Sequence, residues 1–80
     1  MMPVERIRRK YHINVNDICR NCYISRTAYY NIISGKSSPT LKNATCIMEY
    51  LKSRVSVYET MTISYLFTDW ENRNGNISDN

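Results

Sequence analysis

INVNDICRNCYISRTAYYNIISG, residues 13–35, is the stretch on which the fold turns, because it holds two short amphipathic segments separated by a break at Tyr23-Ile24-Ser25. Asn14 and Asn16 sit at the head of the run Asp17-Ile18-Cys19-Arg20-Asn21-Cys22. An Asn side chain there accepts from the free amides of a helix start, and Asp17 complements the positive end of the helix dipole, so a helix is predicted to begin near residue 15. Ile18, Cys19 and Cys22 share one face by i, i+3 and i, i+4 spacing, while Arg20 and Asn21 point elsewhere. Ser25 is suited to cap a second helix over residues 26–33, which Ser34-Gly35 ends with Gly35 at the left-handed closing position. Helices this short are unstable alone, so the two require each other and a further partner.

The second helix has an unusual outer face. Ala28, Tyr29, Ile32 and Ile33 form its inward stripe, which leaves Arg26, Thr27, Tyr30, Asn31 and Ser34 outward. A solvated face ordinarily carries Glu and Lys, yet no acidic residue occurs between Asp17 and Glu49. Arg grips guanine O6 and N7 with two donors, Asn pairs with adenine N6 and N7, and Thr donates to a base or touches a thymine methyl. Those residue types suit the major groove of duplex DNA.

The flanks supply the rest of a core. Pro3 to His12 reads as an opening helix with Pro3 in its first turn; Val4, Ile7 and Tyr11 face inward, and Arg6, Arg9 and Lys10 face water or phosphate. Its Arg-Arg-Lys run is too short for a membrane-surface helix or a localisation signal. After the loop Lys36-Ser37-Ser38-Pro39-Thr40, Thr40 caps a further helix whose stripe is Leu41, Ala44, Ile47, Met48 and Leu51. Residues 54–67, RVSVYETMTISYLF, are ambiguous: Val55, Val57, Thr60, Thr62 and Ile63 favour strand by β-branching, whereas Tyr58, Met61, Tyr65 and Leu66 fit helical spacing. The surplus of Tyr, Leu and Phe there, together with Trp70, either forms a dimer contact or finishes the core. Residues 71–80, ENRNGNISDN, lack apolar content and read as a disordered polar tail beyond a domain spanning 1–70. Asn76-Ile77-Ser78 has the form of a glycosylation acceptor but is set aside in the absence of a secretory leader.

Eighty residues make one small domain of modest stability, for which oligomerisation is a natural supplement. The net charge of +4 hides an asymmetry. Residues 1–54 hold ten Lys or Arg against Glu5, Asp17 and Glu49, a balance of +7, while residues 55–80 hold Arg73 against Glu59, Asp69, Glu71 and Asp79, a balance of −3. The positive excess therefore lies on the half that carries the two short helices, as phosphate binding requires. Cys19 and Cys22 form a C-x-x-C pair, with Cys46 and His12 as conceivable further zinc ligands, but no second pair completes a set and small buried side chains account for the thiols. Neither a metal nor a cofactor is expected. Three thiols without a secretory leader suit a reducing cytoplasm. Ser25, His12 and Asp17 have nothing to position them as a triad, no Gly-rich phosphate loop or paired carboxylates occur, and no apolar run is long enough to span a membrane, so neither an enzyme nor a membrane protein is expected.

Ile7-Arg8, Ile13, Ile18, Ile24-Ser25, Ile32, Gly35-Lys36, Pro39, Leu41, Ile47 and Leu51 follow one another in a pattern that resembles the lambda-repressor/Cro-like helix-turn-helix family, also called the xenobiotic-response-element family, from about residue 4 to residue 52. The chain departs from that pattern at Tyr23, where the family has a hinge Gly, at Cys19, where it has a small Ala, and at Val15, where many members carry a phosphate-binding Gln. The resemblance implies a compact all-α domain of four to five helices, its fifth over residues 58–69 with an interface strand as the rival. It also implies a second motif helix in the major groove and a homodimer on half-sites about one turn of double-stranded DNA apart. By position it implies base reading by Arg26, Thr27, Asn31 and Tyr30, and phosphate contacts by Asn14, Asn16, Ser25, Ser34, Lys36 and Asn43, with Ser37, Ser38 and Lys42 beside them. Arg8 stands where the family favours Arg, which implies a structural or backbone-clamping role. The expectation is thus a bacterial or phage-type transcriptional regulator that occupies an operator. Two alternatives stay open: an antitoxin-like or other interaction protein that grips its partner through residues 55–70, or a thiol- or metal-responsive regulator.

Overall fold

Three tight left-handed closures shape the first half of the chain. In a computed structural model describing residues 1–67, five helices follow in order: α1 (Pro3–Lys10), α2 (Val15–Cys22), α3 (Arg26–Ile33), α4 (Leu41–Arg54) and α5 (Ile63–Leu66). The described residues form a compact all-α globule without strands. None of its helices is long and apolar enough to cross a membrane.

The first four helices begin where the sequence predicts. Pro3 opens α1 with a pre-set backbone angle and no wasted amide. Asn14 accepts from the Asn16 amide at 2.7 Å, Ser25 from Ala28 at 3.0 Å, Thr40 from Asn43 at 3.0 Å and Thr62 from Tyr65 at 3.2 Å, each side chain satisfying one orphan donor. The ends of α1, α2 and α3 are equally local. Residues in the left-handed region follow each: His12 at φ 56°, Tyr23 at φ 57° and Gly35 at φ 83°. Ile13 then donates to the Arg8 carbonyl at 3.0 Å, Ile24 to Cys19 at 3.1 Å and Lys36 to Asn31 at 2.9 Å, the six-to-one bond of a Schellman closure. Only the third closure uses Gly, the residue without a steric penalty there. The turn at His12 ends α1 at Lys10, two residues earlier than the apolar pattern predicts.

The core gathers Val4 and Ile7 from α1, Ile18, Cys19 and Cys22 from α2, Tyr29 and Ile32 from α3, Ala44, Ile47 and Leu51 from α4, and Met61, Leu66 and Phe67. α2 packs on α3 and α4, and α5 packs on α4 and α1. Leu41 corrects the predicted stripe: its side chain is 74% exposed. It is the first residue of α4, and the buried part of that helix starts a turn later at Ala44. Residues 55–62 are neither helix nor strand, so the fifth helix expected over 58–69 is confined, among the described residues, to the single turn at residues 63–66. The β-branched Val55, Val57, Thr60 and Thr62 resist helix, and among the described residues no strand is at hand to pair them. This segment returns across α1, where Glu59 accepts from Lys10 at 2.8 Å and from the Tyr11 hydroxyl, and Tyr65 accepts from Arg6 at 2.7 Å. Trp70, the polar tail 71–80 and the Asn76-Ile77-Ser78 triplet lie outside the described residues.

Candidate nucleic-acid interface

The outer face of α3 presents polar groups that the fold leaves unspent. Arg26, Thr27 and Tyr30 are exposed and Asn31 is half-buried. Among the described residues none of their side chains makes a hydrogen bond, although the Asn31 carbonyl closes the helix end by accepting from Lys36 and Ser37. The Tyr30 ring is held edge-on against Tyr29, with centroids 5.7 Å apart and an interplanar angle of 78°.

Two open clefts flank Tyr30. One, of about 560 Å³, runs between the end of α1, the start of α2 and the start of α3, and is lined in part by Arg9, His12, Asn14, Asn16 and Arg26. The other, of about 400 Å³, is lined in part by Arg9, Asn31, Ser34 and Lys36. The predicted site residues therefore divide. Asn14, Asn16, Arg26 and Tyr30 meet in the first cleft, and Tyr30, Asn31, Ser34 and Lys36 meet in the second. Thr27, Ser25 and Asn43 line neither. Several of the expected phosphate contacts already have local work: Asn14 Oδ1 and the Ser25 hydroxyl oxygen accept as caps, and the Ser34 hydroxyl donates to the Asn31 backbone carbonyl at 3.2 Å. Lys36 is exposed and makes no side-chain bond among the described residues.

Behind this face lies a buried carboxylate that the sequence reading counted only as a charge. Glu5 is 2% exposed. Its Oε1 accepts from Arg8 Nε at 2.7 Å and from the Tyr29 hydroxyl at 2.8 Å; its Oε2 accepts from Arg8 Nη2 at 2.7 Å and Arg9 Nε at 3.0 Å. Burial pushes the carboxyl pKa up, but the bonds from Arg8, Tyr29 and Arg9 outweigh it and hold the group below its ordinary value. Tyr29 shifts the other way, since burial and the neighbouring carboxylate both disfavour the phenolate. Arg8 also donates Nη1 to the Ile13 carbonyl at 2.8 Å, tying α1 to the turn before α2. Arg8 is thus a structural residue in this fold. The i, i+3 and i, i+4 spacing of Glu5, Arg8 and Arg9 is a helix-pair signal open to inspection in the sequence. The partner Tyr29, 24 residues away, is not.

Cys19 and Cys22 are buried and Cys46 is half-buried beside Asn21, donating to the Asn21 carbonyl at 3.8 Å. Among the described residues no three His, Cys, Asp or Glu side chains are grouped to hold a metal ion. Comparison with protein-family models, curated proteins and solved structures gives no match to this chain.

Proposed function

We propose that this chain is a sequence-specific DNA-binding regulator that inserts α3 into the major groove and acts by occupying its site rather than by catalysis. One observation carries the reading. Arg26, Thr27, Tyr30 and Asn31 share the outer face of one helix with no acidic residue among them and with their side-chain donors and acceptors unspent. An unspent Arg–Asn set on a short helix complements the donors and acceptors of base edges, and the clefts beside Tyr30, one carrying Arg9 and Arg26 and the other Arg9 and Lys36, offer cations to the phosphate backbones that border a groove. The resemblance to the lambda-repressor/Cro-like family supports the same assignment, with phosphate contacts at Asn14, Asn16, Ser25, Ser34, Lys36 and Asn43.

In this reading two copies bind paired half-sites, and the exposed Val57 and Tyr58 offer apolar surface for the contact between copies or for another protein. In vitro selection from a random duplex pool tests the whole. A recovered site with two-fold symmetry is expected, with half-sites about one helical turn apart. On that site Arg26→Ala or Asn31→Ala costs about 1–3 kcal/mol and relaxes base choice, while Lys36→Ala weakens all sequences alike and lowers the salt slope by about one. Equal losses on selected and random DNA for Arg26→Ala and Asn31→Ala would remove the base-reading role.

A further inference from the structure

α1 carries three cations that its sequence pattern leaves equivalent, and the fold distinguishes them. Arg6 donates to the Tyr65 hydroxyl at 2.7 Å, and Lys10 is paired with Glu59 at 2.8 Å. Arg9 is different. Its Nε is held 3.0 Å from Glu5 Oε2, yet its side chain is 61% exposed, and among the described residues its two outer nitrogens have no partner. Glu5 cannot neutralise it, because a single carboxylate already faces the Arg8 guanidinium through both oxygens. Two guanidiniums on one carboxylate leave one positive charge in excess, and of the two Arg9 is the more exposed. Its side chain also lines both clefts that flank Tyr30. A fork of donors tethered at one nitrogen and open at the others is pre-organised for a phosphate oxygen pair.

We propose that Arg9 is a DNA phosphate contact, held over the groove edge beside α3 by its Nε bond to Glu5, at a position that the helix-turn-helix resemblance does not mark. This rests on the DNA-binding reading of α3. Each neutralised phosphate contributes a slope of about 0.9 to the fall of log affinity with log salt, so raising salt from roughly 50 to 200 mM costs about 3.5-fold in affinity per contact.

The test is a fluorescence-anisotropy titration of selected and random duplexes across that salt range with wild type, Arg9→Ala and Arg6→Ala, alongside urea midpoints for all three. Both substitutions remove one charge from the same helix, but only Arg9→Ala is expected to flatten the salt slope by about one and to weaken both duplexes alike; its urea midpoint falls because Glu5 loses a donor, while the protein stays folded in the binding buffer. An equal slope change in Arg6→Ala would reduce the effect to net charge and overturn the proposal. So would a wild-type slope in Arg9→Ala. Arg9→Gln, which keeps much of the side chain's length and a donor for Glu5, replaces Arg9→Ala if the latter is unfolded without urea. If wild type binds neither duplex, the DNA-binding reading itself fails, an outcome separate from binding that ignores Arg9.

Discussion

Tyr29→Phe removes one hydroxyl from the centre of the molecule and nothing else. The ring is fully buried and Phe fills almost the same space, so the packing term stays close to constant. What is lost is the 2.8 Å bond from the phenol to Glu5 Oε1. A hydrogen bond to a charged group contributes roughly 1.5–3 kcal/mol. The carboxylate keeps three other donors, two from Arg8 and one from Arg9, so it is not stranded in the core and the lower part of that range, about 1.5–2 kcal/mol, is expected. Urea unfolding at pH 7 reads this as a lower midpoint at constant slope.

The pH dependence separates this cause from a general loosening of the core. The folded-state pKa of Glu5 lies below its ordinary value of 4.5, so its contribution is fully present above 4.5 and is lost as pH falls through the folded value. Without the phenol the folded carboxyl is less depressed, so the variant has less to lose in acid. The stability gap between wild type and Tyr29→Phe is therefore largest at neutral pH and narrows below 4.5. A gap under about 0.5 kcal/mol at pH 7, the size of an ordinary surface change, or a gap that is the same at pH 7 and in acid, refutes the assignment of this bond as a charged tie between α1 and α3.

Tyr23→Gly should stabilise by about 1 kcal/mol in the same urea assay, since Tyr23 holds a left-handed conformation at φ 57° with its ring 94% exposed and little packing to forfeit; a loss of stability would mean that the ring does more than the structure shows. Leu41→Ser should change stability by no more than about 0.5 kcal/mol, whereas Leu51→Ala, fully buried on the same helix, should cost about 2–5 kcal/mol; comparable losses would restore Leu41 to the core. Brief alkylation at pH 8 followed by mass spectrometry should label the half-buried Cys46 first. Burial raises the Cys19 thiol pKa, and burial with the adjoining Cys46 pushes Cys22 up to about 12; labelling of Cys22 as fast as Cys46 in folded protein contradicts that order.

Much of the fold was legible because its boundaries are made by neighbours in sequence. Asn14, Ser25 and Thr40 cap helices through amides two or three residues on, and Gly35 ends α3 through a closure confined to residues 31–36, so residue type and spacing suffice. The outer face of α3 follows from the same helical period that buries Tyr29 and Ile32. Leu41 was misplaced because periodicity states which residues share a face, not how far along a helix the core extends. The segment 55–62 was misread because β-branched residues argue against helix while offering no strand without a partner. The resemblance implies phosphate contacts at Asn14 and Ser34 without revealing that nearby backbone already engages both side chains. Glu5 escaped for the opposite reason, since its decisive partner is on another helix and Tyr29 reads in sequence as part of an apolar stripe.

That tie explains how so short a helix holds one orientation. α3 has only eight residues, too few to be stable by propensity, and its apolar stripe alone would tolerate rotation about its axis. Tyr29 and Tyr30 are consecutive and so stand about 100° apart around that axis. Fixing the phenol of the first to Glu5 fixes the direction of the second, and with it Arg26, Thr27 and Asn31. An apolar pair at positions 5 and 29 would bury comparable area without specifying the angle, and burying a carboxylate brings little net stability even when it is well paired. The value of Glu5 therefore lies in register: it gathers Arg8, Arg9 and Tyr29 at one point, so the polar face of α3 and the exposed guanidinium of α1 are oriented by the same two oxygens.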